Sequence, residues 1–204
     1  MALVDRILVP GLHGAEMEEA GQGLFLPPQE EALIATAVDK RRREFTLGRT
    51  CARAALEKLG QGDWVIGKAP DGAPLWPAGT IGSITHTQGY AAALVADNRH
   101  FSGIGVDAER IGGVTEELWP RLFHHAEYDQ LNSLDDAGKQ TAATLFFSAK
   151  EAAYKTGAVK GSLSFRDIQV VLETEQLSVR LPSGQNLTGR YAKKQDLVLT
   201  MVVF

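Results

Sequence analysis

Cysteine is nearly absent from this 204-residue chain: Cys51 is its one thiol. A disulfide-stapled scaffold is therefore excluded. No apolar run reaches the roughly 18 residues that a membrane-spanning helix needs, which excludes stable membrane insertion. A basic excess is missing too, since 21 Lys and Arg face 25 Asp and Glu for a net charge of −4. Nucleic-acid binding is disfavoured by that balance and by the lack of an aromatic-basic stripe. The chain also lacks the low apolar content of a disordered protein, being 44% hydrophobic and 23% charged. Residues 1–10 show no basic leader followed by an apolar run and a cleavage site. Together with the single cysteine, this predicts a cytoplasmic protein.

What is present is an ordinary globular composition whose information lies in local motifs. At about 150 residues per domain, the length allows one domain or two of about 100 residues each. Residues 3–9 read as a short strand and residues 11–23 as a loop. Phe45, Ala52, Ala55, Leu56 and Leu59 keep a helical period that Gly60 stops. Residues 67–79 are rich in Gly and Pro and read as a structured loop. Three strands are predicted over 80–86, 90–96 and 101–109, with turns at Gln88-Gly89 and Asp97-Asn98. A helical region over 116–131 is broken by Pro120, and a long helix over 135–156 is ended by Gly157. Four strands follow, over 167–173, 176–181, 185–192 and 197–204, with Ser183-Gly184 as a hairpin turn. The order is helix then strands, twice, with a junction near residue 103.

Two segments carry chemistry. In Gly103-Ile104-Gly105-Val106-Asp107-Ala108-Glu109, strand residues two apart share a face, so Asp107 and Glu109 project side by side. Adjacent carboxylates repel unless a cation sits between them, and Mg²⁺ commonly uses few carboxylates plus substrate phosphates. An exposed edge-strand Asp-x-Glu is the plainer alternative. In Phe147-Ser148-Ala149-Lys150-Glu151-Ala152-Ala153-Tyr154-Lys155, Glu151 and Lys155 share a helix face. Lys150 sits about 100° round the helix and can approach a ligand from another side. A carboxylate flanked by two lysines suits a metal–phosphate site, or else a surface ion pair. Arg42, Arg49 and Arg53 form one helical stripe. His86 ends a strand before a turn, a favoured place for ligand contacts. Leu118, Trp119, Leu122 and Phe123 are either core or a docking patch.

These segments together match one family. RRREFTLGRTCARAAL (41–56), GAPLWPAGTIGSITHTQGYAAALVA (72–96), GIGVDAER (103–110) and LFFSAKEAAYK (145–155) resemble the 4′-phosphopantetheinyl transferases of the enterobactin synthase component D type. In order and spacing they span most of residues 25–155. The resemblance implies an α+β 4′-phosphopantetheinyl transferase fold of two pseudo-twofold related halves, with the active site between them. The nucleotide-binding half would be residues 1–102 and the metal-binding half residues 103–204, joined in one compact, monomeric unit. The implied reaction moves the phosphopantetheine arm of coenzyme A onto a serine of an acyl, aryl or peptidyl carrier protein, as in siderophore and nonribosomal peptide synthesis. Adenosine 3′,5′-bisphosphate would leave.

The implied roles follow residue by residue. Asp107, Glu109 and Glu151 would hold Mg²⁺ (Mn²⁺ being an alternative), with Glu151 also the base for the carrier serine. Lys150 and Lys155 would contact phosphates or the carrier, with Lys155 also helping the leaving group. Coenzyme A would further meet Arg41, Arg49, Lys68 and Thr85, and His86 would take its 3′-phosphate. The family pattern favours Arg41 over Arg42 while the helical stripe favours Arg42. Thr85 stands where serine is frequent. His124 stands before Glu127 where a small hydroxyl residue is common, which weakens the expectation of a helix cap there. The alternatives are a non-catalytic carrier-binding homologue and another Mg²⁺-dependent nucleotide phosphotransferase.

Overall fold

A computed structural model describes residues 1–18, 24–161 and 163–204. In chain order the elements are α1 (Leu3–Ile7), β1 (Leu12–Glu18), α2 (Pro28–Glu31), α3 (Asp39–Glu57), β2 (Gly67–Lys68), β3 (Pro74–Leu75), β4 (Thr80–Thr87) and β5 (Tyr90–Asp97). They continue with β6 (Ile104–Arg110), α4 (Trp119–Leu122), α5 (His125–Asn132), α6 (Asp136–Lys155), β7 (Gln169–Leu172), β8 (Gln176–Arg180), β9 (Asn186–Lys194) and β10 (Leu197–Val203). The fold is mixed α+β. A three-stranded sheet runs β1-β5-β4, a five-stranded sheet runs β6-β10-β9-β8-β7, and all their pairings are antiparallel. No helix among the described residues is long and apolar enough to cross a membrane.

Strand periodicity distributes the core. Ala91, Ala93 and Val95 of β5 pack under α3 against Leu47, Cys51, Ala52, Ala55 and Leu56. The alternate residues Tyr90, Ala92, Leu94 and Ala96 face the other way, against Ile104, Val106 and Ala108 of β6 and Leu199 and Met201 of β10. On the far side of the second sheet, Phe146, Ala149, Ala152 and Ala153 of α6 cover Val170, Val179, Leu187 and Val202. Each sheet thus carries one long helix. α6 starts on the Asp135 side chain, which accepts from Gly138 N at 2.8 Å. It stops before Gly157, whose φ of +76° only glycine adopts freely.

The sheets meet edge to edge without a backbone ladder. β4 and β6 are edge strands, and two side chains of β4 join them: Ser83 Oγ accepts from Val106 N at 3.1 Å and Thr85 Oγ1 from Ala108 N at 3.0 Å. This satisfies N–H groups of an edge strand and fixes the register between the sheets.

The N-terminus differs from expectation. Residues 3–9 hold helix α1 in place of a strand, and β1 occupies the front of the predicted 11–23 loop, of which residues 19–23 lie outside the described residues. Short apolar runs carry no decisive period. A distant group settles the matter, because the Glu16 carboxylate accepts from Leu3 N at 3.1 Å and Val4 N at 2.6 Å. Gly14 marks a close approach: a Cβ there would lie 2.6 Å from both Leu94 and Val4. α1 also packs on β9 and β10, so the N-terminal segment binds the second sheet as well as the first. Trp119 and Phe123 are buried in the core, which removes them from any docking patch; Leu118 stays exposed.

Candidate active site

The glycines of the 103–109 segment explain its spacing. Residues 103, 105, 107 and 109 share the face of β6 that meets α6. A Cβ on Gly105 would overlap Ala152 O at 1.7 Å, and one on Gly103 would sit 2.3 Å from Thr156 O. The strand therefore lies flush against the last turns of α6. The next residue on that face, Asp107, reaches Lys155: Nζ donates to Oδ1 at 2.7 Å and to Val106 O at 3.0 Å. Thr85 Oγ1 lies 3.5 Å from the same Oδ1.

Asp107 is 5% exposed, and its Oδ2 is a buried oxygen with no hydrogen-bond partner. An orphan carboxylate oxygen carries a desolvation cost that a cation removes. Its neighbours are strained in the same sense. Burial first, then the Asp107 and Glu151 charges, push the Glu109 carboxyl up to about 7 against the opposing pull of Lys155. Burial and Asp107 also raise Glu151, again against Lys155. All three donors are hard oxygens, which fits Mg²⁺. Among the described residues no group of three His, Cys, Asp or Glu is close enough to hold a metal by itself. The expected three-carboxylate cage is therefore not closed; Lys155 takes Oδ1 of Asp107 and leaves Oδ2 without a partner. Mg²⁺ that keeps waters and shares substrate phosphates needs only one or two of these groups.

Beside this cluster lies a cavity of about 160 Å³ lined by Arg41, Glu44, Phe45, Gly48 and Arg49 of α3, Gly72 and Pro74, and Ile84 and His86 of β4. Arg41 Nη1 stands 3.0 Å from His86 Nε2, and Glu44 Oε2 lies 3.7 Å from His86 Nδ1. Arg42 turns away to Ile34 O and Glu31, so the structure brings Arg41 to the cavity. Arg49 is buried, stacks 4.8 Å from the Phe45 ring centroid, and donates to Ile66 O at 2.9 Å and Gly67 O at 3.1 Å. It thereby ties the β2–β3 hairpin to the cavity wall. Lys68 is exposed on that hairpin, paired in register with Pro74.

Two expectations are corrected. Lys150 does not reach a phosphate site: it is fully buried, and Nζ donates to Glu127 Oε2 at 2.7 Å, Leu122 O at 2.8 Å and Phe165 O at 2.9 Å. Three donors meet three acceptors, so none remains for a ligand. Thr85 is 3% exposed, and its hydroxyl is directed to Ala108 N and Asp107 Oδ1 of β6 and does not line the cavity. Glu127, Ser83 and Glu44 were missed. Glu127 takes His124 N at 2.8 Å while His124 Nδ1 takes Ala126 N at 3.2 Å, so the helix cap forms with histidine in place of a hydroxyl. A signal for Glu44 existed, since it lies three residues beyond Arg41 and shares its helix face.

Residues 29–96 match the 4′-phosphopantetheinyl transferase N-terminal domain, and residues 103–202 match the 4′-phosphopantetheinyl transferase superfamily domain. The chain belongs to the 4′-phosphopantetheinyl transferase superfamily. It is 39% identical over 184 residues to the 4′-phosphopantetheinyl transferase Npt of Nocardia iowensis, covering 89% of this chain and 82% of that protein. With the 4′-phosphopantetheinyl transferase PptT of Mycobacterium tuberculosis it shares 34% identity, covering 93% and 90%. With enterobactin synthase component D of Escherichia coli the identity is 31%, covering 93% and 91%.

Proposed function

We propose that this protein transfers the 4′-phosphopantetheine arm of coenzyme A to a serine of a carrier protein and releases adenosine 3′,5′-bisphosphate. The observation that carries this reading is the orphan Oδ2 of Asp107, a residue whose charge acts on the Glu109 and Glu151 carboxylates and on His86 of the cavity. Phosphoryl transfer needs positioning and charge neutralisation more than covalent help.

The nucleotide end would enter the cavity, its 3′-phosphate meeting Arg41 and His86 and its path bounded by Arg49 and Lys68. Bidentate guanidinium contacts favour arginine there. Asp107, Glu109 and Glu151 would hold Mg²⁺, which when bound neutralises the pyrophosphate. Lys155 holds Asp107 in place through Oδ1 and lends positive charge to the departing phosphate side. Glu151 accepts the serine proton at a carboxylate oxygen. The halves 1–102 and 103–204 then divide the labour, nucleotide against metal, across the Ser83–Thr85 seam. The protein would act as a monomer in the cytoplasm.

The test is intact-mass measurement of apo carrier proteins after incubation with coenzyme A, Mg²⁺ and this protein. A gain equal to the phosphopantetheine arm is expected. No gain on any acyl, aryl or peptidyl carrier would sink the reading.

A further inference from the structure

We propose that Glu44 is a positioning residue for the nucleotide, holding the Nδ1 side of His86 so that a phosphate entering the cavity displaces Arg41 from Nε2 and loads one proton there. The proposal rests on the reading that this cavity takes the 3′-phosphate of coenzyme A.

The geometry assigns the starting state. A guanidinium donates and never accepts, so His86 Nε2, 3.0 Å from Arg41 Nη1, carries the lone pair. The ring proton is on Nδ1, which faces Glu44 Oε2 at 3.7 Å. The imidazole is therefore neutral in the free protein. The surrounding charges agree: burial, Arg41 of α3 and Lys155 of α6 hold the proton affinity of His86 below its ordinary value, while Glu44 of α3 and Asp107 of β6 oppose them. Lys40 Nζ lies 3.9 Å from the other oxygen of Glu44 and stands one turn back on α3.

The bound state must differ. A phosphate monoester is close to a dianion at neutral pH and accepts bidentate donation from Arg41, so the Arg41–His86 contact opens. An unprotonated Nε2 would then aim a lone pair at an anionic oxygen. One proton from the buffer acid, which is left as its conjugate base, adds to the Nε2 lone pair and converts that repulsion into donation. The imidazolium is bracketed by the phosphate at Nε2 and Glu44 at Nδ1. A carboxylate in the wall of an anion cavity, unfavourable as a simple charge, gains a purpose as the group that makes this protonation affordable.

The experiment is calorimetric titration of the protein with adenosine 3′,5′-bisphosphate at about pH 7.5, where the phosphates are mostly dianionic, in two buffers of different ionisation heat and without divalent metal. Comparison with His86→Gln separates His86 from the carboxylate cluster, whose Glu109 also titrates near neutral pH. Wild type should take up about half a proton or more per ligand bound, by proton linkage. His86→Gln should take up at least about half a proton less than wild type. Glu44→Gln should take up less than half the wild-type value and lose at least about fivefold in its preference for the bisphosphate over adenosine 5′-monophosphate. Glu44→Asp should restore most of both. A bisphosphate that binds no tighter than the monophosphate overturns the nucleotide assignment and the proposal with it. A bisphosphate preference without buffer dependence, or a Glu44→Gln variant equal to wild type, overturns the proposal and leaves the assignment standing.

Discussion

Lys150 and Glu127 form a fully buried ion pair, Nζ to Oε2 2.7 Å, with both side chains at 0% exposure. Glu127 also accepts from Val170 N at 2.8 Å and His124 N at 2.8 Å, while Lys150 donates to two backbone carbonyls. The pair therefore ties the start of α5, the strand β7 and the 3₁₀ turn at Phe165–Asp167 to the middle of α6.

Lys150→Ala should cost stability because it leaves a buried carboxylate uncompensated, about 3–5 kcal/mol. Glu127→Gln should cost about as much, since it leaves the buried Lys150 ammonium uncompensated and turns an amide NH2 toward an N–H donor. Denaturant midpoints measure both. A Lys150→Ala variant as stable as wild type, with its coenzyme A KM raised, would return Lys150 to the ligand site.

Thr85 works through a hydroxyl alone. Thr85→Val keeps the shape but strands the buried Ala108 N–H, at about 1–3 kcal/mol. It also frees Asp107 Oδ1 from its 3.5 Å neighbour, so the Mg²⁺ concentration for half-maximal activity should rise. Thr85→Ser should restore both, because serine supplies the same oxygen. Loss of stability with an unchanged Mg²⁺ requirement would show that the seam is scaffolding only.

Glu151 stands between function and stability. Burial and Asp107 oppose its charge, so Glu151→Gln removes a repulsion and should leave Tm equal or higher. Removing the proposed base should lower transfer by about 10²–10⁴-fold. Near-normal turnover in a folded Glu151→Gln variant would move the base elsewhere.

The legible parts of the chain were those whose signal is local. The α6 period, the β4–β5 hairpin and the Gly-x-Gly-x-Asp-x-Glu alternation each encode their geometry within about ten residues. Illegible were the contacts made at long range. Helix α1 depends on Glu16, a residue whose role needs β1 already paired with β5. Lys150 sits beside Glu151 in a charged-looking motif, yet α6 points it inward toward a carboxylate 23 residues away. Thr85 looked like a ligand hydroxyl until β6 was placed against β4. In each case a polar side chain was claimed by a partner distant in sequence, which no local pattern reports.

His86 should leave a mark on acid stability. Burial, with Arg41 and Lys155, depresses its proton affinity in the folded protein, whereas the unfolded chain protonates it near the ordinary value of about 6.5. Below that pH the unfolded state gains a proton that the folded state resists. The His86 contribution is thus complete above about pH 6.5 and is lost as the pH falls through the lower folded value. His86→Gln should flatten the decline of urea midpoints between about pH 6.5 and 5 without changing those above pH 7 in the same way. His124, whose proton affinity is also lowered by burial and by His125, stays as a common background in both proteins. Parallel acid limbs for wild type and His86→Gln would mean that Arg41 leaves the imidazole and lets it protonate in the folded state without any phosphate present.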